Sequence, residues 1–320
     1  MAPLTTTFAS LSARAQGFAR LLTLVLTGTP STFTASTMTI SGGCYGVAYG
    51  NGVFVAVATG SAGTYSTNGT TWNSSTMSSN QVWLGVTYGN GKFVAVQASG
   101  TTAGAYSTNG RTWTASTMPS SSQFLSVTYG NGYFVATAGN PSTAGAYSTN
   151  GTSWTASTLP SSQLWISVTY GLVGATPTYV AVAQGPTTAG AYSTNGTTWT
   201  ASTMPSSSTW QSVTYGNGYF VAVAQGTSAG AYSTNGTTWT ASTMPSSANW
   251  YGVTYGNGYF VAVAYGTAAG AYSTNGTTWT ANTMPSGSNW TGVTYGNGYF
   301  VAIALSTTAG AYFAFTRNYV

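Results

Sequence analysis

The chain contains no aspartate, no glutamate and no histidine among its 320 residues. The side chains that normally act as general acids and bases, and most hard metal ligands, are therefore missing. This argues against hydrolytic chemistry and leads to the expectation that the protein is not an enzyme and holds no cofactor or metal. Its charges are five cations, Arg14, Arg20, Lys92, Arg111 and Arg317, for a net charge of +5. They are too scattered along the chain to track a phosphate backbone, which excludes nucleic acid as the expected partner. Cys44 is the single cysteine, so no intrachain disulfide can form and cysteine usage says nothing about the redox compartment. No apolar run is long enough to span a membrane as a helix. A surface built from serine, threonine, asparagine and glycine must stay in solution through neutral hydrogen bonding to water.

What is present is repetition. Tyr49, Tyr88, Tyr129, Tyr170, Tyr215, Tyr255 and Tyr295 mark the same phrase at intervals of about 40 residues. A period of that length with several short β patterns per copy predicts a β-propeller with one four-stranded blade per repeat. In one unit, residues 210–215 (WQSVTY) read as a first strand, and Gly216-Asn217-Gly218 as a tight hairpin turn. Residues 219–224 (YFVAVA) read as a second strand, apolar on both faces because neighbouring blades cover both. Residues 229–232 (AGAY) form a third. A second Asn-Gly, at Asn235-Gly236, predicts a second hairpin into a fourth strand, residues 237–244, where Pro245 is expected to stop the ladder.

The two ends are complementary. Residues 32–38 (TFTASTM) match a fourth strand, with Phe33 in the tryptophan place, and no first three strands precede them. Ala309 to Tyr312 match a third strand, after which residues 313–320 leave the pattern. The expected fold is all-β: a seven-bladed propeller of four-stranded antiparallel blades over residues 32–320, closed by residues 32–38 completing the last blade, behind an N-terminal arm of residues 1–31. In the arm, Phe8, Leu11, Phe18 and Leu22 fall at helical spacing with Arg14 and Arg20 off the stripe, which predicts a short amphipathic helix that docks on another subunit. The competing reading of residues 21–26 (LLTLVL) as a secretion signal needs an apolar core of about 7–15 residues, longer than this one.

The phrase Ser66-Thr67-Asn68-Gly69-Thr70-Thr71-Trp72 recurs from Ser107, Ser148, Ser193, Ser233 and Ser273. It resembles the Asp-box, or BNR repeat, of sialidase-like propellers, over nearly all of residues 32–312. Asn68, Asn109, Asn150, Asn195, Asn235 and Asn275 stand in the aspartate place, and the phrase is one residue shorter than the usual box. The resemblance implies a folding element between third and fourth strands and carries no catalytic residue, because sialidase acid and nucleophile positions have no counterpart here. Together the phrases YGNGYFVAV and YSTNGTTW are also similar to repeats of bacterial surface proteins and bacteriophage virion proteins. That likeness implies a structural or adhesive subunit of a larger assembly such as a tail fibre, tail tip or capsid decoration, located in a virion or outside the cell, with other assembly subunits as partners and a homo-oligomer left open.

A secreted glycan-binding lectin is the alternative. Trp83, Trp165, Trp210, Trp250 and Trp290 open first strands, with Phe124 and Cys44 in the equivalent places, and are expected to form a ring at one rim of the central channel. Exposed, these aromatics would stack on cell-surface glycans; buried, they would wedge blades together, the reading favoured in a protein without ionic contacts. Trp72, Trp113, Trp154, Trp199, Trp239 and Trp279 sit on fourth strands and read as packing. Asn-Gly-Thr at Asn68, Asn150, Asn195, Asn235 and Asn275, with Asn73 and Asn289, match glycosylation acceptors, but turn chemistry alone accounts for the first five. In the fourth copy the first turn expands to Gly171-Leu172-Val173-Gly174-Ala175-Thr176-Pro177-Thr178, read as a tolerated surface insertion.

Overall fold

The computed structural model describes residues 24–40 and 42–319, and all regular structure among them is β-strand. Phe8, Leu11, Phe18 and Leu22, and with them the expected helix, lie outside the described residues. A four-stranded antiparallel ladder recurs along the chain. In one copy residues 209–216 pair with Tyr219–Gln225, that strand with Thr227–Ser233, and that in turn with 240–243. The last ladder takes Asn289–Gly296, Tyr299–Leu305 and Ala309–Ala314 from the end of the chain and Thr34–Thr37 from its start, with Thr34 opposite Tyr312 and Thr37 opposite Ala309. The second strands each bury a central, largely apolar run, as at Phe220, Val221, Ala222, Val223 and Ala224, because ladders pack on both of their faces.

The repeated Tyr-Gly pair is explained by packing between ladders. A Cβ on Gly50 would lie 2.0 Å from the ring of Tyr88, one on Gly89 2.0 Å from Tyr129, and one on Gly296 2.0 Å from Tyr49. Each tyrosine ring thus lies flat on the glycine of the preceding copy. Along the fourth strands, parallel bridges join neighbouring ladders, among them Thr76 with Thr112, Thr243 with Thr278 and Thr37 with Thr71.

Turn chemistry divides the two Asn-Gly sites. In the first turn both residues have positive φ, as at Asn217 (50°) and Gly218 (82°), which a type I′ hairpin requires. The second departs from the expected hairpin: Gly236 has φ 74°, but Asn235 does not enter the left-handed region. There the side chains build the turn. Asn235 Oδ1 accepts the backbone N–H of Thr237 and of Thr238 at 2.9 Å each, and Ser233 Oγ donates to Asn235 Oδ1 while accepting from Gly236 N–H. An amide oxygen thus satisfies backbone donors that would otherwise be orphaned.

Proline does not end the fourth strand in every copy, contrary to expectation. Thr155–Val173, Thr200–Gly216 and Thr240–Gly256 run as single strands through Pro160, Pro205 and Pro245 from one ladder into the next. Pro245 falls between Thr243, which pairs with Ala229, and Ala248, which pairs with Thr227. No ladder N–H is needed there, and proline's fixed φ suits an extended chain.

The C-terminal residues that leave the repeat pattern form a further strand, Thr316–Tyr319, paired antiparallel with Leu24–Thr27 in a separate two-stranded sheet. The end of the arm therefore lies against the chain's own C-terminus. Leu26, Phe313 and Phe315 pack with Phe300 and Tyr295 at the Asn-Gly end of the last ladder, where Phe315 N–H donates to Gly298 O at 3.1 Å.

Candidate functional site

The candidate rim aromatics are not at a surface. Trp83, Phe124, Trp165, Trp210, Trp250 and Trp290 are each 0% exposed and sit in the cores between ladders. Each of these indoles donates its N–H to the serine carbonyl four residues earlier, Trp210 to Ser206 and Trp250 to Ser246. No ring face is left for a sugar, which corrects their place as glycan contacts. Burying so large an apolar area is what a chain without acidic side chains has in place of ionic pairing.

The residue immediately after this position points elsewhere. Register shifts between Trp210 and Ser212, Trp250 and Gly252, Trp290 and Gly292, and at the equivalent places in the other ladders, mark a β-bulge in the first strand of each copy. A bulge inserts one residue and re-aims its side chain. The inserted residues are Tyr45, Leu84, Leu125, Ile166, Gln211, Tyr251 and Thr291, and all of them line one central cavity of about 350 Å³. That is within the range of small-molecule sites, about 300–1,000 Å³. First strands contact one another in the order of the repeats, and the strand from Asn289 returns to that from Cys44, where Thr291 Oγ1 donates to Cys44 O at 2.6 Å.

The next position stitches the wall. Ser126, Ser167 and Ser212 Oγ accept the backbone N–H of Val168, Val213 and Val253 on the following first strand, at 3.1, 3.1 and 3.2 Å. Gly46, Gly85, Gly252 and Gly292 occupy this place in the remaining copies, and a Cβ on Gly46 would stand 2.3 Å from Leu84 O.

The lining carries no formal charge. Lys92 begins the second strand of its ladder beyond the Asn-Gly turn, and the Arg111 guanidinium rests over the Tyr65 ring at 4.9 Å. The polar groups are amides and hydroxyls. Gln184 Nε2 donates to Gln211 Oε1 at 2.9 Å and to Gln225 Oε1 at 3.4 Å. The Tyr251 ring lies against that of Tyr265, with centroids 4.9 Å apart and the planes tilted by 30°. Burial, and then the neighbouring phenols of Tyr265 and Tyr45, push the Tyr251 hydroxyl above its ordinary pKa, so it is a neutral donor and acceptor at physiological pH. Burial pushes the Cys44 thiol up to about 12, which leaves it protonated and poorly nucleophilic. Among the described residues no three His, Cys, Asp or Glu side chains group to hold a metal, and no helix is long and apolar enough to cross a membrane. This arrangement can bind by contact and neutral hydrogen bonding. Sequence reading missed it, although its signal is visible afterwards: in otherwise copied repeats, the residue following Cys44 or the buried aromatic in its place is Tyr, Leu, Leu, Ile, Gln, Tyr or Thr.

No known protein family matches the sequence, and no curated protein does. Solved structures do. Virginiamycin B lyase from Staphylococcus aureus superposes with a TM-score of 0.77 at 14% identity, covering 88% of this chain and 98% of that one. YCF48 bound to D1 peptide gives 0.69 at 14% identity over 88% of this chain and 94% of that one, and YCF48 from Cyanidioschyzon merolae 0.67 at 13% over 88% and 98%. These are β-propeller-like proteins, so the chain has an all-β, propeller-like fold of antiparallel sheets. Some are enzymes and some bind partners. The lyases correct the expectation, drawn from composition, that the chain lies outside enzyme territory: catalysis occurs on this architecture, and identity this low shows the architecture alone.

Proposed function

We propose that the chain is a closed seven-bladed propeller that acts as an adhesive or display subunit of a larger assembly, a bacteriophage virion or an extracellular surface structure, anchored by residues 1–31 and binding through its central channel. The observation that carries this reading is the separation of the two ends of the ladder. The clasp of Leu24–Thr27 and Thr316–Tyr319 is tied to the Asn-Gly end of the last ladder through Phe313 and Phe315. The channel lining lies near the opposite end of the same first strand, at Thr291, Gly292 and Val293. At about 3.3 Å per residue, most of a strand separates them. An anchor on one side and a recognition cavity toward the other is the layout of a displayed binder.

Support for seven blades and closure comes from the inter-ladder contacts, which run in sequence and end with Gly296 under Tyr49 and Thr32 bridged to Thr283. Support for an assembly comes from the amphipathic pattern of Phe8, Leu11, Phe18 and Leu22 and from the repeat resemblance. The test is co-sedimentation in the source organism. The full chain is expected in a high-molecular-weight particle fraction, whereas a chain lacking residues 1–23 keeps its clasp and far-ultraviolet circular dichroism and stays free. A full chain that runs as a free monomer, or a truncated chain that enters the particle equally, overturns the reading.

A further inference from the structure

We infer that the central channel is a binding site for a neutral sugar end group with one apolar edge, of the 6-deoxyhexose class; this deepens the adhesive reading and rests on it. The inference starts from how the bulge residues are sorted around the channel. Leu84, Leu125 and Ile166 come from three successive ladders and make a continuous aliphatic arc. Gln211, Tyr251, Thr291 and Tyr45 come from the following four and make a continuous hydrogen-bonding arc. Packing does not require this sorting, since the buried aromatic before each bulge and the valine two residues beyond it are nearly constant while the bulge residue changes.

The chemistry of the two arcs selects the ligand. An ionised group would be buried without a countercharge, at a cost of several kcal/mol, so the ligand is uncharged. The polar arc offers ring-borne hydroxyls and a side-chain amide at one level. Gln211 is 7% exposed, its oxygen takes the bond from Gln184, and its amide nitrogen is left for the channel. Tyr251 is backed by Tyr265, which fixes its ring plane. Amides, hydroxyls and a held aromatic ring together recognise vicinal hydroxyls and the C–H face of a pyranose. The opposing aliphatic arc would leave a hydroxymethyl group without hydrogen bonds, whereas a methyl group gains contact there. A deoxy sugar satisfies both sides at once, and a fully hydroxylated hexose satisfies one.

The experiment is calorimetric titration of the full chain with methyl α-L-fucopyranoside and methyl α-L-rhamnopyranoside, each against its 6-hydroxy counterpart, methyl α-L-galactopyranoside and methyl α-L-mannopyranoside, and with methyl glucuronide as the charged control. Saturable binding of at least one deoxy sugar is expected, about tenfold or more tighter than its hydroxylated partner, the discrimination an apolar pocket achieves for one small group. Gln211→Ala is expected to weaken the bound pair together, by about tenfold, and Ile166→Thr to narrow the gap between them. Absence of saturable binding by all four neutral sugars overturns the inference, as does equal affinity within both pairs, or binding of the glucuronide. The two readings fail separately. Gln211→Ala should still enter the particle fraction, because the anchor is untouched, and loss of particle association on deleting residues 1–23 leaves sugar binding unchanged.

Discussion

A single missing methyl sets how closely neighbouring ladders approach. Gly50 carries no strained φ, so its identity is explained only by the Tyr88 ring 2.0 Å from where a Cβ would stand. Gly50→Ala is expected to destabilise the fold by about 1–3 kcal/mol, the usual cost of overpacking a close contact. Gly42→Ala is the matched control, because nothing lies within 4 Å of its Cβ position and its φ is not positive. Denaturant midpoints of the two variants check this, and equal midpoints would remove the stacking role assigned to the tyrosine. The tyrosine spacing was plain in the sequence; that its partner is the glycine of the previous copy was not, because the pair is about 40 residues apart.

At the scale of the turn, the neutral amide in the place of the Asp-box carboxylate explains why the chain can dispense with acid. Asn235 Oδ1 collects two backbone N–H groups and the Ser233 hydroxyl. Asn235→Asp would put a charge where three donors converge and so lower that carboxyl's pKa in the folded state below its unfolded value, about 3.9. A depressed pKa gives stability that is present above the unfolded pKa and lost as pH falls through the folded one. The variant is therefore expected to melt higher at pH 7 than at pH 3, by an amount worth on the order of 1 kcal/mol given the exposure of the turn, while the parent shows no such step. Thermal melts at the two pH values decide it, and a flat variant would mean the donors do not sense the charge. The four-strand unit and its I′ turn were legible because Asn217-Gly218 needs two positive φ values. The bulge was not: one inserted residue moves a side chain to the other face, and nothing local in Trp-Gln-Ser-Val says where the extra residue falls.

For the whole molecule, the absence of Asp, Glu and His means that no side chain titrates near neutrality. Stability is expected to be flat from about pH 4 to about pH 8. Above that range it should fall. Burial raises Cys44 to about 12 and raises Tyr251, and also Tyr255 and Tyr170, above the ordinary phenol range. These groups stay protonated in the fold after they would have ionised in the open chain, so the stability they contribute is intact below their unfolded pKa values and is lost as pH rises toward the folded ones. For Cys44 alone the loss is about 1.4 kcal/mol per pH unit above about pH 9. Melting midpoints across pH 4 to 11 test this, and a midpoint that moves by tens of degrees below pH 8 would require a bound partner carrying the missing charges.

The sequence alone determined the repeat, the antiparallel ladder, its I′ turn and the absence of acidic side chains from every surface, because each depends on composition or on residues within a few positions of one another. It also determined that Thr34–Thr37 would find Ala309–Ala314, since each end of the chain held the strand the other lacked. Tertiary structure decided the rest. It took the first-strand tryptophans out of reach by packing ladders on both of their faces, it turned one bulge per copy toward a shared cavity, and it drew Leu24–Thr27 onto Thr316–Tyr319. A cavity lined by a few residues from each of many strands exists only when those strands converge. Its bulge residues stand about 40 positions apart, so no stretch of sequence short enough to read locally contains two of them.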